Sequence, residues 1–130
     1  MTSFPDTNVL VAAFATRGLC EDVLRSVLAE HRVLTSEFVL EELHRVLAEK
    51  LRMPQGEAAR VCEFVRQNAE IIDPETAATL PERDLDDRWI LAAAIQGQAD
   101  VLVSGDRDLL EIEDAVVAIV SPRGFWERVR

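Results

Sequence analysis

A chain of 130 residues is the length of one domain and can bury about two-thirds of its unfolded surface, so residues 1–130 are read as a single domain. Its composition, 48% hydrophobic and 29% charged, is that of a folded globular protein and excludes a disordered one. A formal net charge of −10 disfavours nonspecific attraction to nucleic acid or to an anionic membrane, since binding phosphates needs a basic footprint; if this chain handles nucleic acid, cations must mediate.

Residues 1–5 are a short extended lead-in to Asp6-Thr7-Asn8, after which 9–15 are uninterruptedly apolar. This reads as a strand ending in a carboxylate that starts a helix. The plain role for Asp6 is that of helix N-cap. Pro5 cannot donate to a ladder, so the first strand must be short. Arg17-Gly18 break the helix, and Val23, Leu24, Val27 and Leu28 return at helical spacing. Val33-Leu34-Thr35 is a second strand handing over at Ser36, a good N-cap, to a helix whose apolar stripe is Val39, Leu40, Leu43, Val46 and Leu47. The 3.6-residue period separates two adjacent acids there. Glu42 flanks the stripe, where it can lean over a rim, while Glu41 points to solvent.

Met53-Pro54-Gln55-Gly56 punctuates the chain, and Ala58, Val61, Cys62, Val65 and Ala69 make the next helical stripe, followed by a short strand at Ile71-Ile72 that ends at Asp73-Pro74. After a loop comes Asp84-Leu85-Asp86-Asp87, opening a helix with Ile90, Leu91 and Ala94 inside. Asp87 begins the buried side of that helix, and Asp86 is expected to turn away from it. Val101-Leu102-Val103 reads as a buried parallel strand running into Ser104-Gly105-Asp106-Arg107-Asp108. Residues 116–120 read as a last strand, and Ser121-Pro122 open a C-terminal helix carrying Phe125-Trp126. The alternation predicts a three-layer α/β/α domain with a mainly parallel central sheet.

In such a sheet the carboxyl ends of the strands form the ligand-binding rim, and Asp6, Glu42, Asp87 and Asp106 all fall at strand ends or at the adjoining starts and flanks of helices. They are expected to form one acidic pocket. Carboxylates at ~4 Å repel by about 4 kcal/mol at an effective dielectric of 20, so the cluster calls for protonation or a bound cation. Oxygen donors without His or Cys suit Mg²⁺ or Mn²⁺, which can activate water and neutralise a phosphate oxygen.

These residues carry a resemblance. Asp6-Thr7-Asn8-Val9-Leu10, then Ser36 to Glu42-Leu43, then Asp84-Leu85-Asp86-Asp87 with Ile90 and Ala93-Ala94, then Val103 to Leu110, in this order over nearly the whole chain, resemble the PIN-domain ribonucleases, and among them the VapC-type toxins of toxin-antitoxin pairs. The resemblance implies metal-dependent hydrolysis of single-stranded regions of RNA. It makes Asp6, Glu42, Asp87 and Asp106 the catalytic, metal-binding acids, with Asp108 as an additional or alternative ligand and Asn8 and Ser104 steadying the first and last. It also implies a cognate antitoxin that occludes the site and a homodimer, for which Phe125-Trp126 and the Leu/Val-rich early helices offer apolar surface. One departure concerns RNA: Lys50 is the sole lysine, so scattered arginines such as Arg45, Arg88 and Arg107 would hold the substrate.

Two other classes compete. A Mg²⁺-binding phosphoacceptor domain also places aspartates at strand ends, but it wants a lysine at a late strand end, which this chain lacks. A haloacid-dehalogenase-like phosphatase wants a second aspartate where Asn8 stands. A catalytically silent PIN fold that binds RNA or protein is the remaining alternative. Cys20 and Cys62, without CxxC or His spacing, read as buried free thiols of a reducing compartment. The longest apolar runs, 9–15 and 89–95, fall short of the ~20 residues a membrane span requires, and no signal peptide fits before Asp6, so the cytoplasm is the expected location.

Overall fold

The computed structural model describes residues 1–15, 24, 28–29, 31–78, 85–112 and 115–129. Strand β1 (Thr2–Pro5) leads into α1 (Thr7–Ala15), and β2 (Arg32–Thr35) into α2 (Glu37–Arg45), which widens into a single π-helical turn, Val46–Lys50. Then follow α3 (Gln55–Asn68), β3 (Glu70–Ile71), α4 (Leu85–Gln96), β4 (Val101–Val103), α5 (Arg107–Leu110), β5 (Ala118–Val120) and α6 (Pro122–Val129). Of the second expected helix, Leu24 and Leu28 are helical and pack on the core, while Arg17, Gly18, Cys20, Val23 and Val27 lie outside the described residues, as does Asp84.

The five strands lie in the order β3-β2-β1-β4-β5 and every pairing is parallel. Alternation along the strands sorts their side chains onto two faces. Phe4, Leu34 and Leu102 join Leu40, Leu43 and Leu47 of α2 and its π turn, Ala58 and Val65 of α3 and Ile90, Ala93 and Ala94 of α4 in one core. Val33, Val101 and Val103 face the other way, onto Val9, Val120 and Phe125. Helices therefore cover both faces of the sheet, in three layers. Phe125 is wholly buried and Trp126, partly buried, packs beside it, so of this pair only Trp126 leaves apolar surface exposed.

Strand order sets where a site can form. From β1 the chain steps to β2 and β3 on one side; α4 then carries it back across to β4 on the other. The order thus reverses between β1 and β4, which leaves a crevice at their carboxyl ends. Pro5 stands in a central strand without cost because the β1–β2 ladder has ended by Ser3, and Pro5 pairs only with Val103 of β4. The last strand is shorter than its apolar run: Val116 is 83% exposed and Val117 sits in a bend, so pairing starts at Ala118. At the end of α4, Gly97 allows a close approach, since a Cβ there would lie 2.6 Å from Leu34 Cδ1 and 3.0 Å from Ile72 Cγ1.

Candidate active site

Asp6 follows β1 directly and is 3% exposed. Its backbone N–H donates to the Val103 carbonyl at 2.9 Å, prolonging the β1–β4 ladder by one bond and fixing the residue over the crevice. One carboxylate oxygen accepts the Val9 N–H at 2.9 Å and caps α1. The other accepts the hydroxyl of Ser104, which follows β4 and is fully buried. Ser104 Oγ in turn accepts the Asp106 N–H at 2.9 Å, so one hydroxyl ties the loops after β1 and β4 together. Burial pushes the Asp6 carboxyl above its usual range; the bonds from Ser104, Val9 and the Asn8 backbone oppose that, and the charge of Asp106 adds to it. Asn8 thus supports Asp6 through its backbone N–H, while its side chain is exposed on the cleft wall.

Glu42 comes from α2, where Val39, Leu40 and Leu43 are buried against the sheet and Ser36 caps the first turn by accepting the Val39 N–H at 3.1 Å. Half-buried on the flank of that stripe, Glu42 accepts the Thr7 hydroxyl, a bond across 35 positions of sequence. Burial again raises its pKa. Thr7 and Arg45 oppose the shift, Arg45 Nη2 standing 3.9 Å away, whereas the charge of Asp86 and a hydrogen bond with it reinforce it. Val46, expected on the buried stripe, is only partly buried and lines the cleft one helical turn after Glu42, where the π turn begins.

These groups surround a cleft of about 440 Å³ lined by six carboxylates, those of Asp6, Glu42, Asp86, Asp87, Asp106 and Asp108. The structure brings together all five acids singled out from the sequence. It also corrects one expectation: Asp86 faces the cleft beside Glu42. Bonds from Cα to Cβ tilt toward a helix N-terminus, so at the first turn of α4 consecutive side chains both lean over the end of the helix, and angular separation does not send Asp86 away. The same holds after β4, where Asp106 caps the short α5 by accepting the Asp108 N–H at 2.9 Å and both acids reach the rim. Glu41, exposed, lies in an adjoining hollow with Phe38, Glu42, Arg45 and Asp86. Of the arginines proposed for RNA, Arg45 lines the cleft, whereas Arg88 Nε is bonded to the Ala78 carbonyl at 2.8 Å. Thr7 and Lys50 were missed: the hydroxyl adjacent to Asp6 was a weak signal for the first, and nothing in the sequence marks the second as a cleft residue.

The donor set is all oxygen, which fits a hard divalent cation. Among the described residues no three of these acids, nor any group including His or Cys, are arranged to hold an ion as they stand; Asp6 and Glu42 are turned to Ser104 and Thr7 instead.

A PIN domain family model matches residues 4–108, which spans all of these segments. The chain belongs to the PIN domain family. Solved structures repeat this PIN fold over nearly its whole length. VapBC2 from Rickettsia felis, bound to a DNA fragment from its promoter, superposes with a TM-score of 0.70 at 18% identity, covering 93% of this chain and 98% of that one. VapBC-1 from nontypeable Haemophilus influenzae gives 0.70 at 16% identity over 95% and 99% of the two chains. FitAcB from Neisseria gonorrhoeae gives 0.61 at 19% over 93% and 98%. No curated protein sequence matches this PIN domain. Among its described residues no helix is long and apolar enough to cross a membrane.

Proposed function

We propose that this PIN domain is a Mg²⁺- or Mn²⁺-dependent endoribonuclease and the toxin of a toxin-antitoxin pair. The observation that carries the reading is the convergence of acids from four separated segments on one cleft at the strand-order reversal. Asp6, Glu42, Asp87 and Asp106 would hold the cation, with Asp108 as a further donor. When bound, it supplies a water of lowered pKa and neutralises charge on a phosphate oxygen. The chain's own contribution is to keep the donors charged and aimed. Ser104 and the α1 amides stabilise ionised Asp6 against its burial, and Thr7 fixes the rotamer of Glu42.

Antitoxin binding is proposed from the fold shared with the VapBC complexes, and a homodimer from the same family reading. A cytoplasmic location is part of the same proposal. Purified protein incubated with single-stranded RNA is expected to cleave it with Mg²⁺ or Mn²⁺, to stop with EDTA, and to be inactive as Asp6→Asn or Asp87→Asn. Wild-type protein that leaves a broad RNA panel intact in both metals refutes the nuclease reading.

One observation favours a second reading, a catalytically silent PIN module that binds RNA or protein: no three donors are arranged for an ion in the described structure. The two readings part on calorimetric titration with Mn²⁺. A nuclease site draws its carboxylates together and takes up the metal, and Asp6→Asn abolishes the uptake; a silent module takes up none.

A further inference from the structure

The acidic cleft creates its own difficulty, since an RNA phosphate approaching six carboxylates is repelled before it reaches them. Two cations stand on its wall, Arg45 and Lys50. Lys50 is the chain's only lysine, and a local departure from helical geometry places it there. Counted from Glu42 in a continuous α-helix, Lys50 would sit roughly 80° around the axis from the acid. A π turn advances each residue by a smaller angle, and the turn Val46–Lys50 takes most of that separation back, bringing Lys50 over the face of Glu42. The turn is fixed at its end: Leu51 N–H donates to the Val46 carbonyl at 3.0 Å, Met53 N–H to the Leu47 carbonyl at 2.9 Å, and Arg52 turns the chain with φ 56°. Single π turns are frequent at functional sites.

Three other cations of the described structure are engaged away from the cleft. Arg32 is paired with Glu70, Arg66 with Glu37, and Arg88 with a backbone carbonyl. Lys50, by contrast, has no carboxylate of a described residue within ion-pairing distance. We infer that Lys50, with Arg45 beside it, is the seat for a backbone phosphate of single-stranded RNA, a positioning residue that holds the strand across the acidic cleft. The inference rests on the ribonuclease reading for its substrate class. An ammonium on a flexible stem suits a phosphate whose position shifts with sequence, so the seat selects backbone and not base.

The test measures binding apart from turnover. Full-length protein carrying Asp6→Asn is titrated into a fluorescently labelled single-stranded RNA between about 50 and 200 mM salt, alone and with Lys50→Ala, Lys50→Arg or Arg32→Ala added. Lys50→Ala is expected to weaken binding about tenfold and to reduce the slope of log K against log salt by about 0.7 to 1; Lys50→Arg restores both, and Arg32→Ala changes neither. In the cleaving enzyme, Lys50→Ala is expected to raise KM with kcat held within about twofold. An unchanged affinity and slope for Lys50→Ala, an equal effect of Arg32→Ala, or no RNA binding at all overturns the proposal. If wild-type protein cleaves nothing and binding still depends on Lys50, the phosphate seat stands and the nuclease reading falls. If wild-type protein cleaves RNA and Lys50→Ala is indistinguishable from it, the seat falls and the nuclease reading stands.

Discussion

Replacing Ser104 by alanine isolates the bond that ties the two strand ends of the site together. The hydroxyl donates to buried Asp6 and accepts from the Asp106 N–H, and at 0% exposure no solvent reaches it to take its place. Losing a hydrogen bond to a charged group costs about 1.5–3 kcal/mol and losing a neutral one about 1 kcal/mol, so Ser104→Ala is expected to destabilise the fold by about 2.5–4 kcal/mol at neutral pH. In a domain of this size that lowers Tm by on the order of 10 °C. The pH dependence carries the argument. Ser104 favours the ionised form of Asp6, whose folded pKa is already raised by burial, and its removal raises that pKa further. Above both folded values the variant bears the full loss. As pH falls through them Asp6 takes up its proton first in the variant, the stabilisation lost shrinks, and at acid pH only the neutral bonds are missing. Urea unfolding of wild type and Ser104→Ala from acid to neutral pH, with EDTA present, measures the difference. A second pair carrying Asp6→Asn closes a double-mutant cycle and is expected to remove the pH dependence. A gap below 1 kcal/mol, or one that stays flat with pH, would refute the account of Asp6 as a buried carboxylate held by this hydroxyl.

Asp6→Asn alone is expected to lose RNA cleavage by at least about a hundredfold while the fold remains as stable or gains stability at neutral pH, since a carboxyl with a raised folded pKa costs stability once pH exceeds its unfolded value. Activity and urea midpoints read the two effects, and an unfolded variant would mean that capping α1 is its larger role. Millimolar Mg²⁺ or Mn²⁺ is expected to raise the melting midpoint relative to EDTA, because only the folded chain gathers the donors; an unchanged midpoint refutes metal binding there. Among paired variants, Glu42→Gln is expected to be far more damaging than Glu41→Gln, and Asp86→Asn and Asp87→Asn are both expected to impair cleavage, because both line the cleft. Gly97→Ala is expected to destabilise by about 1–3 kcal/mol through overlap with Leu34 and Ile72, read by chemical denaturation, with a neutral result showing that β2 and α4 can separate at little cost.

Much of the fold was legible because its signals are local. The continuous apolar run Val101-Leu102-Val103 encodes a strand buried on both faces and the stripe Val39-Leu40-Leu43 a helix with one buried face, and a sheet of parallel strands follows from the alternation of such elements. Placement of the acids at strand ends was legible for the same reason. What escaped was non-local or irregular. The Thr7–Glu42 bond spans 35 positions and the Ser104–Asp6 bond 98, and no spacing rule connects such partners. The π turn has no compositional mark, so Val46 was assigned to the core and Lys50 was not recognised as a cleft residue. Phe125 was read with Trp126 as outer surface because a two-residue aromatic pair does not reveal whether the sheet face beneath it is vacant; it was, and Val9, Val33, Val101 and Val103 receive Phe125 while Trp126 stays partly exposed.

Helix capping and the metal-binding role proposed for Asp6 are compatible readings of a strand-end acid. Its two oxygens face different structures, one the amides of α1 and the other the hydroxyl of Ser104. The capping bond orients the carboxylate and stabilises its charge without consuming the remaining lone pairs, of which an ionised carboxylate has about four sites in all. A buried acid with no such bonds would be held neutral by desolvation and could not serve as a cation ligand; one paired tightly with an arginine would be charged but blocked. The fold takes an intermediate course. Backbone and hydroxyl donors offset part of the burial of Asp6 in the crevice between β1 and β4, which favours the ionised form that the proposed cation would need. The same balance recurs at Glu42, where Thr7 replaces Ser104 and the distant Arg45 offsets Asp86 only in part. Two acids prepared alike, on separate elements facing one cleft, are what distinguishes this arrangement from an incidental run of helix caps.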